Sequence, residues 1–149
     1  MNFVIQNRHP ASVFRFFEEI SAIPRGSGNE KGIADHMVAF AEARGLEAYR
    51  DAYNNVLIKK PAAPGFEDHA PVIIQGHLDM VCEKLAGVQH DFTKDPIEMY
   101  VENGELRARG TTLGADDGVA VASDENNRQP VAKQRSLDGE LDRIYLRAR

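Results

Sequence analysis

A single cysteine, Cys82, stands in the whole 149-residue chain. That excludes an intramolecular disulfide and fits a reducing compartment. A thiol with no partner reads as a small core filler rather than a nucleophile or soft ligand. No apolar run approaches the roughly 20 residues that a membrane-spanning helix needs. No basic segment followed by an apolar one opens the chain, so no signal peptide is read there and the expected location is cytoplasmic. Basic charge is also short, with 18 Lys and Arg against 23 Asp and Glu. Residues 123–149 hold six basic and five acidic side chains, which leaves 12 basic and 18 acidic in the first 122. Such an acidic body argues against nucleic acid or an anionic membrane as partner. There are no internal repeats. Arg25-Gly-Ser-Gly28 lacks the following Gly-Lys-Ser/Thr and the preceding strand of a phosphate loop, and reads as a plain turn.

What is present reads as one α/β domain, with 42% hydrophobic residues to build a core. Val13, Phe16, Phe17 and Ile20 form the apolar stripe of a first helix over 10–23, with Ser12 as its N-cap and Pro24 as its stop. Ile33, Met37, Phe40 and Ala41 mark a second amphipathic helix over 29–44, ended by Gly45. His36 lies beside that stripe and reads as a partly buried or surface residue. Short strands follow near 47–50 and 56–60, turning at Asn54-Asn55. His69 falls in an exposed loop, and His90 in a long polar segment. Residues 97–109 read as a hairpin turning at Asn103-Gly104.

Two clusters carry chemistry. Val72, Ile73 and Ile74 predict a buried strand over 72–75, with Gly76 allowing a bend at its end. His77 and Asp79 then project to the same side of an extended chain. An imidazole that binds a metal usually gives its second ring nitrogen to a carboxylate or carbonyl, so His-x-Asp can supply a ligand and its support. A polar strand end with an incidental histidine accounts for the same residues. The second cluster is Arg109-Gly-Thr-Thr-Leu-Gly-Ala-Asp-Asp-Gly118, leading into small apolar residues that open a helix. Asp116 or Asp117 thus sits at a helix start, where free N–H groups favour negative charge. A capped turn and a metal ligand both fit this spacing.

Gln75-Gly-His-Leu-Asp-Met-Val-Cys-Glu-Lys84, His90-Asp-Phe-Thr-Lys-Asp-Pro-Ile97 and the 109–118 block, in that order, closely resemble the aminoacyl-histidine dipeptidases. These are cytosolic Xaa-His or nonspecific dipeptidases within the co-catalytic zinc peptidases, and the resemblance runs from about Pro10 to Ala122. It implies that His77 binds a metal and that Asp79, as a catalytic residue, orients it and supports the general base. It also implies that Asp116 bridges two zinc ions, with manganese or cobalt as substitutes. Asp117, where relatives often have Asn, is not assigned as a ligand. The implied fold is a mixed sheet flanked by helices, and the implied reaction is hydrolysis of dipeptides such as carnosine. His90 becomes part of a structural loop.

The family continues with an apolar helix, a strand ending in Glu-Glu, a further metal-binding aspartate, a lid or dimerisation domain and a late histidine. After Ala122 this chain instead reads Ser-Asp-Glu-Asn-Asn-Arg-Gln-Pro130, and no Glu-Glu follows. The expected organisation is therefore residues 1–122 as the N-terminal portion of a metallopeptidase catalytic domain, truncated and without the lid. Residues 123–149 form a divergent polar tail, poorly ordered through about Arg135, with a faint helical pattern in Leu137, Leu141, Ile144 and Tyr145. Two ligands without a base imply no activity alone. The alternatives are a non-catalytic module that pairs with a full-length dipeptidase, and a fragment with no function. Apolar surface on 72–75, Val119 and Val121 is expected to lack cover, and that uncovered edge predicts homo-oligomers.

Overall fold

A computed structural model describes residues 4–5, 8–127 and 143–147, with only the backbone described for 124–127 and 143–147. Helix α1 spans Ala11–Ser21. It starts one residue before Ser12: Pro10 occupies the cap position without a side-chain cap bond, and Phe14 N–H donates to the Pro10 carbonyl at 3.1 Å. The fixed φ of proline suits a helix start, so Pro10 takes the place expected for Ser12. Helix α2 spans Lys31–Glu42. It ends at Gly45, where φ is 68°. There Gly45 N–H reaches the Glu42 carbonyl and Leu46 N–H the Ala41 carbonyl, both at 3.0 Å, the pair of bonds that satisfies the last carbonyls of a helix closed by a left-handed residue.

Both helices bury the faces expected of them. Phe16, Phe17 and Ile20 of α1 meet Ile33, Ala34, Met37, Phe40 and Ala41 of α2 in one cluster with Val56, Ile58, Leu78, Val121 and Ala122. Phe16 and Phe40 pack edge to face at 5.5 Å, an arrangement worth about 0.5–1.5 kcal/mol beyond the area it buries.

Strands β1 (Glu47–Arg50) and β2 (Val56–Lys59) pair antiparallel, with Asn54 at φ 67° in the turn. Val56 and Ile58 face the core and are fully buried. Strand β3 runs Ile73–His77, one residue later at its start and two residues further than 72–75. It is not the doubly buried strand expected, since Ile73 is 64% exposed. The physical reason lies in its place in the sheet, whose order is β1-β2-β6-β3, with β6 at Arg143–Arg147. Strand β6 pairs antiparallel with β2 and parallel with β3, which leaves β3 at the edge among the described residues. Ile144 and Tyr145 therefore lie in a strand rather than in the faint helix. Of the stretch expected to be poorly ordered through Arg135, residues 123–127 fall in the helix that ends at Asn127; the rest, with Leu137 and Leu141, lies outside the described residues.

Strands β4 (Met99–Glu102) and β5 (Glu105–Ala108) form the expected hairpin as a separate two-stranded sheet, turning at Asn103 (φ 51°) and Gly104 (φ 83°). Helix α3 spans Ala115–Asn127. It crosses Ala122 without a break in the helical backbone there, and it packs on α1 and β3. Its packing covers Val121, which is 1% exposed, and leaves Val119 at 47%.

Candidate functional site

His77 closes β3 and Asp79 follows two residues on. Their side chains meet on one side of the chain, as the spacing predicts. His77 Nδ1 is 3.0 Å from Asp79 Oδ1 and 3.0 Å from the Asp79 carbonyl oxygen. Both partners are acceptors, so Nδ1 is the donor of this pair, the arrangement that leaves Nε2 as the atom able to meet a metal. Asp79 is 2% exposed. Its other oxygen, Oδ2, accepts the Ser27 hydroxyl at 2.5 Å, so the carboxylate is held from both ends.

Asp116 arrives from the other side. It lies in the kinked first turn of α3, where Asp116 and Asp117 both depart from helical dihedrals and the peptide bond between them is cis. The Asp117 carboxylate points inward and accepts the His77 backbone N–H at 3.2 Å. The Asp116 side chain points out and is 98% exposed, with Oδ1 3.2 Å from His77 Nε2. A lone pair on Nε2 and a carboxylate oxygen repel at that distance unless a proton or a cation lies between them. Ligand distances of about 2.0–2.2 Å at a tetrahedral ion separate two donor atoms by about 3.4 Å. His77 and Asp116 thus fit two positions on one metal ion. Among the described residues no third His, Cys, Asp or Glu joins them.

The remaining candidates lie elsewhere. His36 is half-buried beside Phe40 at 6.5 Å between rings, and His69 is exposed against Phe66. His90 packs on Phe92 with ring centroids 4.4 Å apart. Cys82 is half-buried.

The sequence reading missed Arg25, in the connector taken for a plain turn. The connector forms a parallel bridge to the site loop between Gly26 and Met80. Arg25 is 2% exposed. Its Nη1 donates to the carbonyls of Leu78 at 3.0 Å and Asp79 at 3.3 Å, and its Nη2 to that of Gly114 at 2.5 Å. Burial lowers its pKa from the ordinary guanidinium value to about 10, against the opposing pull of Asp79, Cys82 and Asp117. Glycine at 114 and 118 was the available signal: a Cβ at either would stand 2.8 or 2.5 Å from Nη2.

Comparison with known proteins gives a consistent likeness. No protein-family model matches the chain. The cytosol non-specific dipeptidase of Escherichia coli K12 is 45% identical over 114 residues, which is 76% of this chain and 24% of that protein. The crystal structure of aminoacylhistidine dipeptidase from Vibrio alginolyticus superposes with a TM-score of 0.87 at 37% identity, over 97% of this chain and 29% of that one. A tripeptidase of Staphylococcus aureus shares the fold at 19% identity and a TM-score of 0.67, over 91% of this chain and 35% of that one. The chain spans about a quarter of the length of the curated relative it matches.

Proposed function

Because this chain belongs to the aminoacyl-histidine and cytosol non-specific dipeptidase family, we propose that it carries part of a metal-dependent site for dipeptide hydrolysis. The observation that supports this reading is the 3.2 Å approach of His77 Nε2 to Asp116 Oδ1, two donor atoms placed for a cation. His77 and Asp116 would hold zinc, with manganese or cobalt as substitutes. Asp79 keeps the imidazole in the tautomer whose Nε2 can bind. A zinc-class ion supplies Lewis acidity toward a scissile carbonyl and makes water acidic near neutral pH. The exposed Asp116 carboxylate leaves the approach to that position open to a small peptide. Xaa-His dipeptides such as carnosine are the proposed substrates of the complete site, and the cytoplasm its location.

A catalytic zinc normally takes three protein ligands, and a general base must lie within reach of the water it deprotonates. The described residues supply two ligands and no such base. We therefore assign the family-like residues 1–122 as an incomplete catalytic portion, inactive alone.

Calorimetric zinc titration tests the ligand pair. Closed zinc sites are worth about 10–16 kcal/mol, and weak binding, lost in His77→Ala and in Asp116→Ala, is expected here. Asp79→Asn should weaken binding about 10–100-fold. Carnosine turnover should not exceed a metal-only blank, and should appear when residues 123–149 are replaced by the continuation of a full-length relative. Zinc binding indifferent to both ligand substitutions would sink the reading.

A further inference from the structure

We propose that Arg25 is a positioning residue that sets the separation of the two arms of the site. The proposal rests on reading His77 and Asp116 as a ligand pair. One arm is the loop after β3, which carries His77 and Asp79; the other is the loop entering α3, which carries Asp116. A single guanidinium spans them, Nη1 on the carbonyls of Leu78 and Asp79 and Nη2 on that of Gly114. The Asp79 carbonyl is a shared acceptor, taking Arg25 Nη1 at 3.3 Å and His77 Nδ1 at 3.0 Å. Moving Arg25 therefore moves an atom that orients the imidazole.

The connector backbone reinforces the same arm: the Arg25 carbonyl accepts Met80 N–H at 2.9 Å, and Ser27 N–H donates to the Met80 carbonyl at 3.3 Å. The planar fork is what bridges both arms, because its donors diverge at fixed angles, whereas a lysine ammonium is one point on a flexible stem. Charge alone does not reproduce it. The side chain lies between Gly114 and Gly118, where any Cβ would meet Nη2. Asp79 and Asp117 supply the negative charge that a buried cation requires.

The test uses the full ¹⁵N-labelled chain without metal, at one pH on the alkaline side of neutrality, and reads His77 in a long-range ¹H–¹⁵N spectrum. The wild type should show one tautomer, protonated at Nδ1. Arg25→Lys should give a mixture of tautomers and lower zinc affinity at least tenfold by calorimetry. Gly118→Ala, whose Cβ would lie 2.5 Å from Nη2, should shift both readouts the same way, and it carries the test if Arg25→Lys does not fold. Phe40→Leu, in the core cluster and outside the site, serves as a control for lost stability and should move neither. The proposal is overturned if the Arg25 variant melts lower yet keeps the wild-type tautomer, or if Phe40→Leu produces the same change. Absence of zinc binding in the wild type, with a tautomer that still depends on Arg25, would remove the ligand reading and leave the positioning role standing. Zinc binding that is tight in the wild type and unchanged in both Arg25 and Gly118 variants would do the reverse.

Discussion

Gly26 has no room for a side chain, and the obstacle is Cys82. A Cβ at Gly26 would lie 2.6 Å from Cys82 Sγ, inside any tolerable contact. Gly26→Ala should destabilise the chain by about 1–3 kcal/mol, the usual cost of forcing atoms into a packed site. Most of that cost should vanish in a Cys82→Ala background, because the sulfur is the atom in the way. Denaturant titrations of the four chains in that cycle measure the coupling; additive losses would show that the clash relaxes elsewhere. Burial raises the Cys82 pKa above the ordinary thiol value, with Asp79 and Glu83 adding and Arg25 opposing. A raised pKa leaves less thiolate at a given pH, and the thiolate is the reactive form. Alkylation by iodoacetamide at pH 8 should be slower than for an unhindered thiol and should accelerate only above the ordinary thiol range. A rate equal to that of a model thiol would contradict this.

Among the elements, the β4–β5 hairpin depends most on one residue. Asn103 and Gly104 both take positive φ, the pair that a two-residue turn matching strand twist requires. Gly104→Ala places a Cβ where L-residues lose about 1–2 kcal/mol. Since among the described residues β4 and β5 pair only with each other, the loss should appear locally, as faster amide exchange across Met99–Ala108 with α1 and α2 unchanged. Uniform protection would argue against it. This hairpin, α1, α2 and β1 were legible because their signals are local: a turn dipeptide, a 3.6-residue stripe, a closing glycine. The edge position of β3 and the insertion of β6 were not, since pairing of Ile73 with Arg143 is decided by partners far along the chain. The site divides the same way. His77 and Asp79 lie two residues apart, and Asp116 lies in a glycine-punctuated block, so pattern finds them. Arg25 lies 53 residues from Leu78 and 89 from Gly114, and its partners are carbonyls, which carry no side-chain signature.

At the scale of the whole molecule, the described sheet ends at β3, which has no strand on its outer side among the described residues. Ile73 is 64% exposed on that strand. Strand β6 covers the inner side of β3, so the bare edge is narrower than the sequence predicts, but it has not gone. An exposed apolar edge strand is a template for another chain, and natural sheets blunt such edges with charge, lysine above all. We predict that the chain self-associates through this edge. Ile73→Lys should shift it toward monomer in size-exclusion chromatography with light scattering. The same substitution should leave the thermal midpoint nearly unchanged, because a side chain that is mostly in solvent contributes little to folding. A full-length dipeptidase supplied in excess should compete for the same edge if the chain acts as a pairing module, and Ile73→Lys should abolish that capture too. A wild-type chain that stays monomeric at high concentration, and does not bind the full-length relative, would leave β3 as an ordinary solvated edge.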